Sequence, residues 1–232
     1  RNNFPTGAGL ASSASGFAAL VTAGAAALGL TPSPRERSIY ARQGSGSAAR
    51  SVFGGFVEMH AGTAPDGLDS FAEPLLDAAA WPLEVVIAVT ATGEKEVGSS
   101  SGMTRSAASS PYYRAWVDGQ PADLATARAA IAAKDFGALA DIAEHNCLKM
   151  HAAAIAARPP LVYWNGPTVE CMHAVRRLRA SGVPVFFTID AGPQVKAVCA
   201  PGARPLVEAA LRDVPGVLDL LTSRLGPGSE LT

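Results

Sequence analysis

Cysteine is scarce. The three residues, Cys147, Cys171 and Cys199, are scattered and odd in number, which excludes a disulfide framework and suits a reducing cytosol. No spacing among them resembles a zinc site. Charge is sparse too: charged residues make up 17% of the chain and the net charge is −1. That leaves no electrostatic footprint for nucleic acid, although net charge says nothing about a single anion-binding pocket. Internal repeats and charge runs are absent. The histidines offer no ligand pair, because His145 and His151 are six apart and miss the i, i+4 spacing that shares a helix face. They read as helix-surface or cleft residues, and Glu170 with His173 as an ordinary surface pair. The chain begins with Arg1 and not Met, so an N-terminal part of the natural protein is expected to lie outside this sequence.

Hydrophobic residues are plentiful, 48% of 232, enough for one large domain or two small ones. The run from Leu10 to Leu30 carries no charge over 21 residues. That meets the length of a membrane span, and its place near the start is that of a signal peptide. Its composition argues otherwise. Ser12, Ser13, Ser15, Gly16, Thr22, Gly24, Gly29 and many alanines predict a helix, Ser13 to about Leu28, packed closely on all sides in a soluble core.

Further along, Ser33 caps and Pro34 opens a helix that runs to about Arg42 and stops at Gly44. Val52 to His60 reads as a strand bent at Gly54-Gly55, and residues 61–82 as irregular, with a domain boundary at Trp81-Pro82. Glu84 to Thr92 is a continuous apolar run, predicting a strand covered on both faces. A loop, Thr92 to Gly102, leads to helices at about 103–109, 111–132 and 135–156. Pro167 to Ser181 reads as a helix with Gly182 after its end. Val183 to Asp190 and Val195 to Cys199 read as strands able to form a hairpin. Residues 205–213 suggest a helix and Gly216 to Leu221 a last strand. The second half is thus a two-layer α+β pattern.

Three places carry candidate chemistry. In Pro5-Thr6-Gly7-Ala8-Gly9-Leu10-Ala11-Ser12-Ser13-Ala14-Ser15, Gly7 and Gly9 allow close approach of a ligand. The serines put hydroxyls at a helix start, where free amides and the positive dipole end suit phosphate oxygens. No Lys follows the last glycine, so this is not a Walker A loop, and spacing alone leaves phosphate binding level with plain capping. Arg50 follows Gly44-Ser45-Gly46-Ser47-Ala48-Ala49 and is either an anion clamp, through its planar five-donor fork, or a surface arginine on a turn. Asp190 ends the apolar strand Val185-Phe186-Phe187-Thr188-Ile189 and opens the turn Ala191-Gly192-Pro193. It is either a rigidly held carboxylate at a cleft or a turn Asp bonding its own backbone.

The wording of these stretches resembles one family. The first is similar to the phosphate-binding motif of the GHMP small-molecule kinases, and the leading Asn2-Asn3-Phe4 with Gly9-Leu10-Ala11-Ser12-Ser13-Ala14 narrows it to the diphosphomevalonate decarboxylases. Gly44 to Glu58 resembles their second signature, Phe187 to Pro193 their third, and Glu94 to Met103 a further segment. The resemblance implies a GHMP kinase-like α+β fold of two domains. Residues 1–82 would be the remainder of a ribosomal S5 domain 2-like N-terminal part, and 83–232 a ferredoxin-like C-terminal domain. It implies ATP-dependent decarboxylation of mevalonate 5-diphosphate to isopentenyl diphosphate, in the cytoplasm, with ATP and Mg²⁺, no nucleic acid or membrane partner, and the homodimer usual in the family. By the same resemblance Gly7, Gly9, Leu10, Ala11, Ser12 and Ser13 hold ATP, Ser13 being the candidate to reach Mg²⁺. Ser45, Ser47 and Arg50 meet the anionic substrate, Asp190 faces its tertiary hydroxyl, and Ser99 or a neighbouring serine meets its phosphates. Asp190 and Arg50 are the implied catalytic pair. A mevalonate 5-phosphate decarboxylase or a mevalonate kinase of the same superfamily stays open as an alternative, as does a non-catalytic binding module.

Overall fold

The computed structural model describes residues 11–93 and 96–231. They form two compact units, residues 11–82 with the tail from Leu225, and residues 83–224. The tail, expected in the second domain, belongs to the first unit. There Gly55 N–H donates to Gly226 O at 3.1 Å, Ser229 N–H to Val52 O at 3.2 Å, and the Thr22 and Ser229 hydroxyls bond at 2.8 Å.

The first unit holds α1 (Ser12–Ala27), α2 (Pro34–Gly44), α3 (Ala48–Ser51), β1 (Phe56–Met59) and β2 (Ala72–Leu76). Ser33 starts α2 as its residue type predicts. Its hydroxyl accepts from Glu36 N–H, the Glu36 carboxylate accepts Ser33 N–H at 2.8 Å, and Pro34 takes the first helical position. Such a capping box contributes ~1 kcal/mol. Ala18 on α1 packs with Ala41, Ala48 and Val52, with Val21 and Phe53 against them, so small side chains bring the three helices close.

Three expectations are corrected here. The helix α1 is not packed on all sides. It buries only Ala14, Ala18 and Thr22, one residue per turn, while Phe17 and Leu20 are exposed. The strand expected from Val52 begins at Phe56, because Arg50 and Ser51 belong to α3, Val52 caps it, and Gly55 turns the chain at φ 70°. The supposedly irregular 61–82 contains β2, antiparallel to β1. Its Pro74 disguises it, and is tolerated because, among the described residues, β2 pairs with β1 alone. No helix among the described residues is long and apolar enough to cross a membrane.

The second unit runs β3 (Glu84–Val89), α4 (Ser99–Ser109), α5 (Tyr113–Ala133), α6 (Phe136–Ile155), α7 (Gly166–Ala180), β4 (Val185–Thr188), β5 (Val195–Cys199), α8 (Arg204–Arg212) and β6 (Asp219–Arg224). Its sheet has the order β4-β5-β3-β6 with every neighbouring pair antiparallel. Helical crossovers join β3 to β4 and β5 to β6, which is the ferredoxin-like topology. Val86, Ala88, Val185, Phe187, Ile189, Val195 and Ala197 meet Cys171, Val175, Val207 and Leu211 of the helices in one core. On β3, Val86 and Ala88 are buried but Val85 and Ile87 only half so. The strand is therefore covered fully on one face, not on both as the apolar run predicted. Ser99 to Gly102, expected in a loop, form the first turn of α4.

Candidate active site

In the first unit the predicted residues gather where α1 begins. Ala11 adopts the left-handed conformation (φ 55°) at the N-cap, Ser12 and Ser13 open the helix, and its first turn carries no acidic residue. The positive end of its dipole thus favours an anion. The Ser13 and Ser45 hydroxyls bond at 3.2 Å, and those of Ser45 and Ser47 at 3.2 Å. A row of hydroxyls therefore links α1 to the turn between α2 and α3. Arg50 lies one helical turn on, exposed, with no ion-pair partner among the described residues. Gly7, Gly9 and Leu10, assigned to ATP by resemblance, lie outside the described residues.

Ser38, which sequence reasoning passed over, anchors this arrangement. Fully buried on α2, it donates its hydroxyl proton to Ala49 O at 3.1 Å and accepts Ala72 N–H at 2.8 Å. One hydroxyl thereby joins α2, the helix bearing Arg50, and β2.

In the second unit Asp190 stands just past β4, its side chain 63% exposed, directly after the buried Ile189. Its Oδ2 lies 2.9 Å from Lys196 Nζ, on β5, whose side chain is only 12% exposed. The turn that follows is held on both sides. Gly192 N–H donates to Asp190 O at 2.7 Å. Pro193 O accepts from the Thr90 hydroxyl at 3.0 Å and from that of Thr168 at 2.7 Å. The buried Gln194 accepts Thr90 N–H at 2.7 Å and donates to Ala91 O at 2.8 Å. On the other side, Cys147 and His151 of α6 reach the Ile189 peptide.

His151 is corrected from a surface or cleft residue to a buried one, 1% exposed, its ring 4.6 Å from that of Trp164. Burial pushes its pKa down to about 4, and that of the Cys147 thiol up to about 11, so both are neutral near pH 7. Ser99, exposed at the first residue of α4, lines a cavity of about 20 Å³ together with Gly102, Met103, Tyr163 and Ala191. The structure thus brings Ser99 beside the turn that carries Asp190.

Gln194, Thr90, Thr168 and Lys196 were missed. Their signals were faint: a lone lysine inside an apolar strand, and Asn165-Gly166-Pro167-Thr168, whose capping box also carries Thr168. Among the described residues no three of His, Cys, Asp and Glu gather as metal ligands. Magnesium needs none, since it binds largely through phosphate oxygens, water and one or two protein oxygens. The hydroxyls of Ser12 and Ser13 suit a nucleotide–magnesium group by their chemistry.

The two units define the class, an α+β protein of the GHMP kinase fold. A model described as diphosphomevalonate decarboxylase-like N-terminal domain matches residues 1–72, and one described as mevalonate 5-diphosphate decarboxylase C-terminal domain matches residues 85–209. The chain belongs to the diphosphomevalonate decarboxylase family. The diphosphomevalonate decarboxylase of Aspergillus fumigatus is 43% identical over 196 residues, covering 83% of this chain and 48% of that protein. The mevalonate diphosphate decarboxylase from Enterococcus faecalis superposes with a TM-score of 0.85 at 39% identity, across 97% of this chain and 68% of that one. A structure of MDDEF in complex with MVAPP, AMPPCP and magnesium gives 0.88 at 41% identity, over the same shares of 97% and 68%. The chain spans about half the length of the curated relatives it matches.

Proposed function

We propose that the chain catalyses the ATP-dependent decarboxylation of mevalonate 5-diphosphate to isopentenyl diphosphate, releasing ADP, phosphate and carbon dioxide. Family membership supports this, as do the relative solved with MVAPP, AMPPCP and magnesium and the mevalonate diphosphate mediated ATP binding described for the Enterococcus faecalis enzyme. One observation carries it. Asp190 holds a carboxylate whose side chain is 63% exposed directly after the buried Ile189, with Oδ2 2.9 Å from Lys196 Nζ.

The reaction asks for such a group. A tertiary alcohol is a poor nucleophile and hydroxide a poor leaving group, so the hydroxyl must first receive a phosphoryl group. Asp190 orients that hydroxyl and accepts its proton. Ser12 and Ser13 at the start of α1 hold the nucleotide phosphates, Ser13 being the one to reach Mg²⁺, while Ser45 and Ser47 meet the substrate. When bound, the ion neutralises charge on the phosphoryl group in transfer. Arg50 fixes the anionic substrate so that the carbon–carbon and carbon–oxygen bonds align for breaking, and Ser99 takes a substrate phosphate at the start of α4. We place the protein in the cytosol, where its free cysteines stay reduced. A homodimer is the assembly to test by sedimentation.

Asp190→Asn in the full-length protein tests the assignment. The exchange keeps shape and removes the proton acceptor, so kcat should fall ~10²-fold or more with ATP affinity unchanged. Near-normal kcat in a stable variant removes Asp190 from the mechanism.

A further inference from the structure

Among the described residues the edge strand β4 pairs only with β5, and no described strand faces its outer backbone groups. Three polar groups along this edge, two N–H and one carbonyl, are nevertheless satisfied by side chains. Phe187 N–H donates to Glu144 Oε1 at 3.2 Å, and Ile189 N–H to Cys147 Sγ at 3.2 Å. Ile189 O accepts from His151 Nε2 at 3.1 Å and lies 3.5 Å from Cys147 Sγ, which donates to it. Phe187 and Ile189, two apart, present their polar groups to the same edge. Glu144, Cys147 and His151, at i, i+3 and i+7, lie along one face of α6. Every partner is buried: Phe187 is 0% exposed, Ile189 2%, Glu144 7%, Cys147 6% and His151 1%. Water is no substitute there, and an unpaired peptide group would be costly.

We infer that this face of α6 stands in for a missing strand and that Cys147 and His151, through the Ile189 peptide, are positioning residues for Asp190. Both polar groups of Ile189 are gripped one residue before the carboxylate, and the direction in which the chain leaves Ile189 decides where Asp190 points. His151 is itself braced by the Trp164 ring, and Glu144 by Arg176 Nε at 3.5 Å. Neither Cys147 nor His151 touches substrate. Both act by holding the proton acceptor where small misplacements are expensive. The inference rests on the reading of Asp190 given above.

The test compares Cys147→Ala, Cys147→Ser, His151→Leu, His151→Gln, Asp190→Asn and the double variant Cys147→Ala/Asp190→Asn in the full-length protein. It follows kcat, KM for both substrates and Tm. The Ala and Leu variants should lose ~10-fold in kcat with KM for ATP changed less than about twofold. Ser and Gln, which restore hydrogen-bonding groups, should recover most of it. The double variant should lose no more than Asp190→Asn alone, because the clamp acts only through that carboxylate. Normal kcat in folded Cys147→Ala overturns the inference, as does a double variant whose losses multiply. Should His151→Leu fail to fold, Cys147→Ala decides, since it removes a single sulfur. Asp190→Asn separates the two levels. If it keeps its kcat, the Asp190 reading falls and this inference with it. If it loses kcat while both clamp variants keep theirs, only the clamp falls.

Discussion

Replacing Ser38 by Ala removes one hydroxyl and almost no volume, yet it unpins three elements. Ser38 is 0% exposed, and its oxygen stands between Ala49 O at 3.1 Å and Ala72 N at 2.8 Å. Ala49 and Ala72 are themselves 0% and 1% exposed, so water cannot replace the lost partner without opening the packing. Each buried group left without its bond costs ~1–3 kcal/mol, and with some relaxation the pair should cost ~2–4 kcal/mol. Because Ala49 immediately precedes Arg50, the loss also loosens the helix that carries the proposed anion clamp. Urea unfolding measures the total, and hydrogen exchange along Ala72–Leu76 localises it. A change under ~0.5 kcal/mol would refute the reasoning, as would lost protection confined to residues 83–224.

Gly55→Ala should destabilise the first unit by ~2 kcal/mol or more. Its φ is +70° and a Cβ would meet Leu76 O and Ala78 N. Gly24→Ala, within α1 and with open space around its Cβ, should instead stabilise by ~0.5–1 kcal/mol in thermal unfolding. His151 is depressed from the ordinary 6.5 to about 4, so between these values the unfolded chain binds the extra proton. Its contribution is whole above pH 6.5 and fades as pH falls toward 4, by on the order of 3 kcal/mol. Denaturant titrations across that window should show the slope in the parent and lack it in His151→Gln. Ser12→Ala and Ser13→Ala should each weaken Mg-ATP binding while the fold stays intact, and calorimetry showing unchanged affinity for both would withdraw Ser12 and Ser13 from the nucleotide site.

Much of the fold was legible because local chemistry spoke for itself. Ser33, Pro34 and Glu36 announce α2, and the apolar runs at 85–89, 185–189 and 195–199 announce three strands of the second sheet. What stayed hidden depended on distant partners. The β2 strand contains a proline, which its place beside β1 alone, among the described residues, makes harmless. Ser99 to Ser101 read as loop because glycines flank them, but Gly102 is buried inside α4. His151 looked peripheral since nothing in its neighbourhood along the chain reveals Trp164 and Ile189 as its surroundings. The candidate site divides the same way. Ser13, Ser45, Ser47, Arg50, Ser99 and Asp190 were named from motifs. The residues that hold them, Ser38, Thr90, Cys147, Thr168, Gln194 and Lys196, carry no motif because any side chain of the right reach would serve.

Carbon dioxide release from carboxyl-labelled mevalonate 5-diphosphate, with ATP and Mg²⁺ and the full-length protein, tests the account most directly. The predicted result is release that requires ATP, yields ADP, phosphate and carbon dioxide in equal amounts, and falls far behind when the 5-monophosphate is supplied instead. Release from the monophosphate at an equal or greater rate contradicts the proposed substrate, and ADP formation without carbon dioxide contradicts decarboxylation itself.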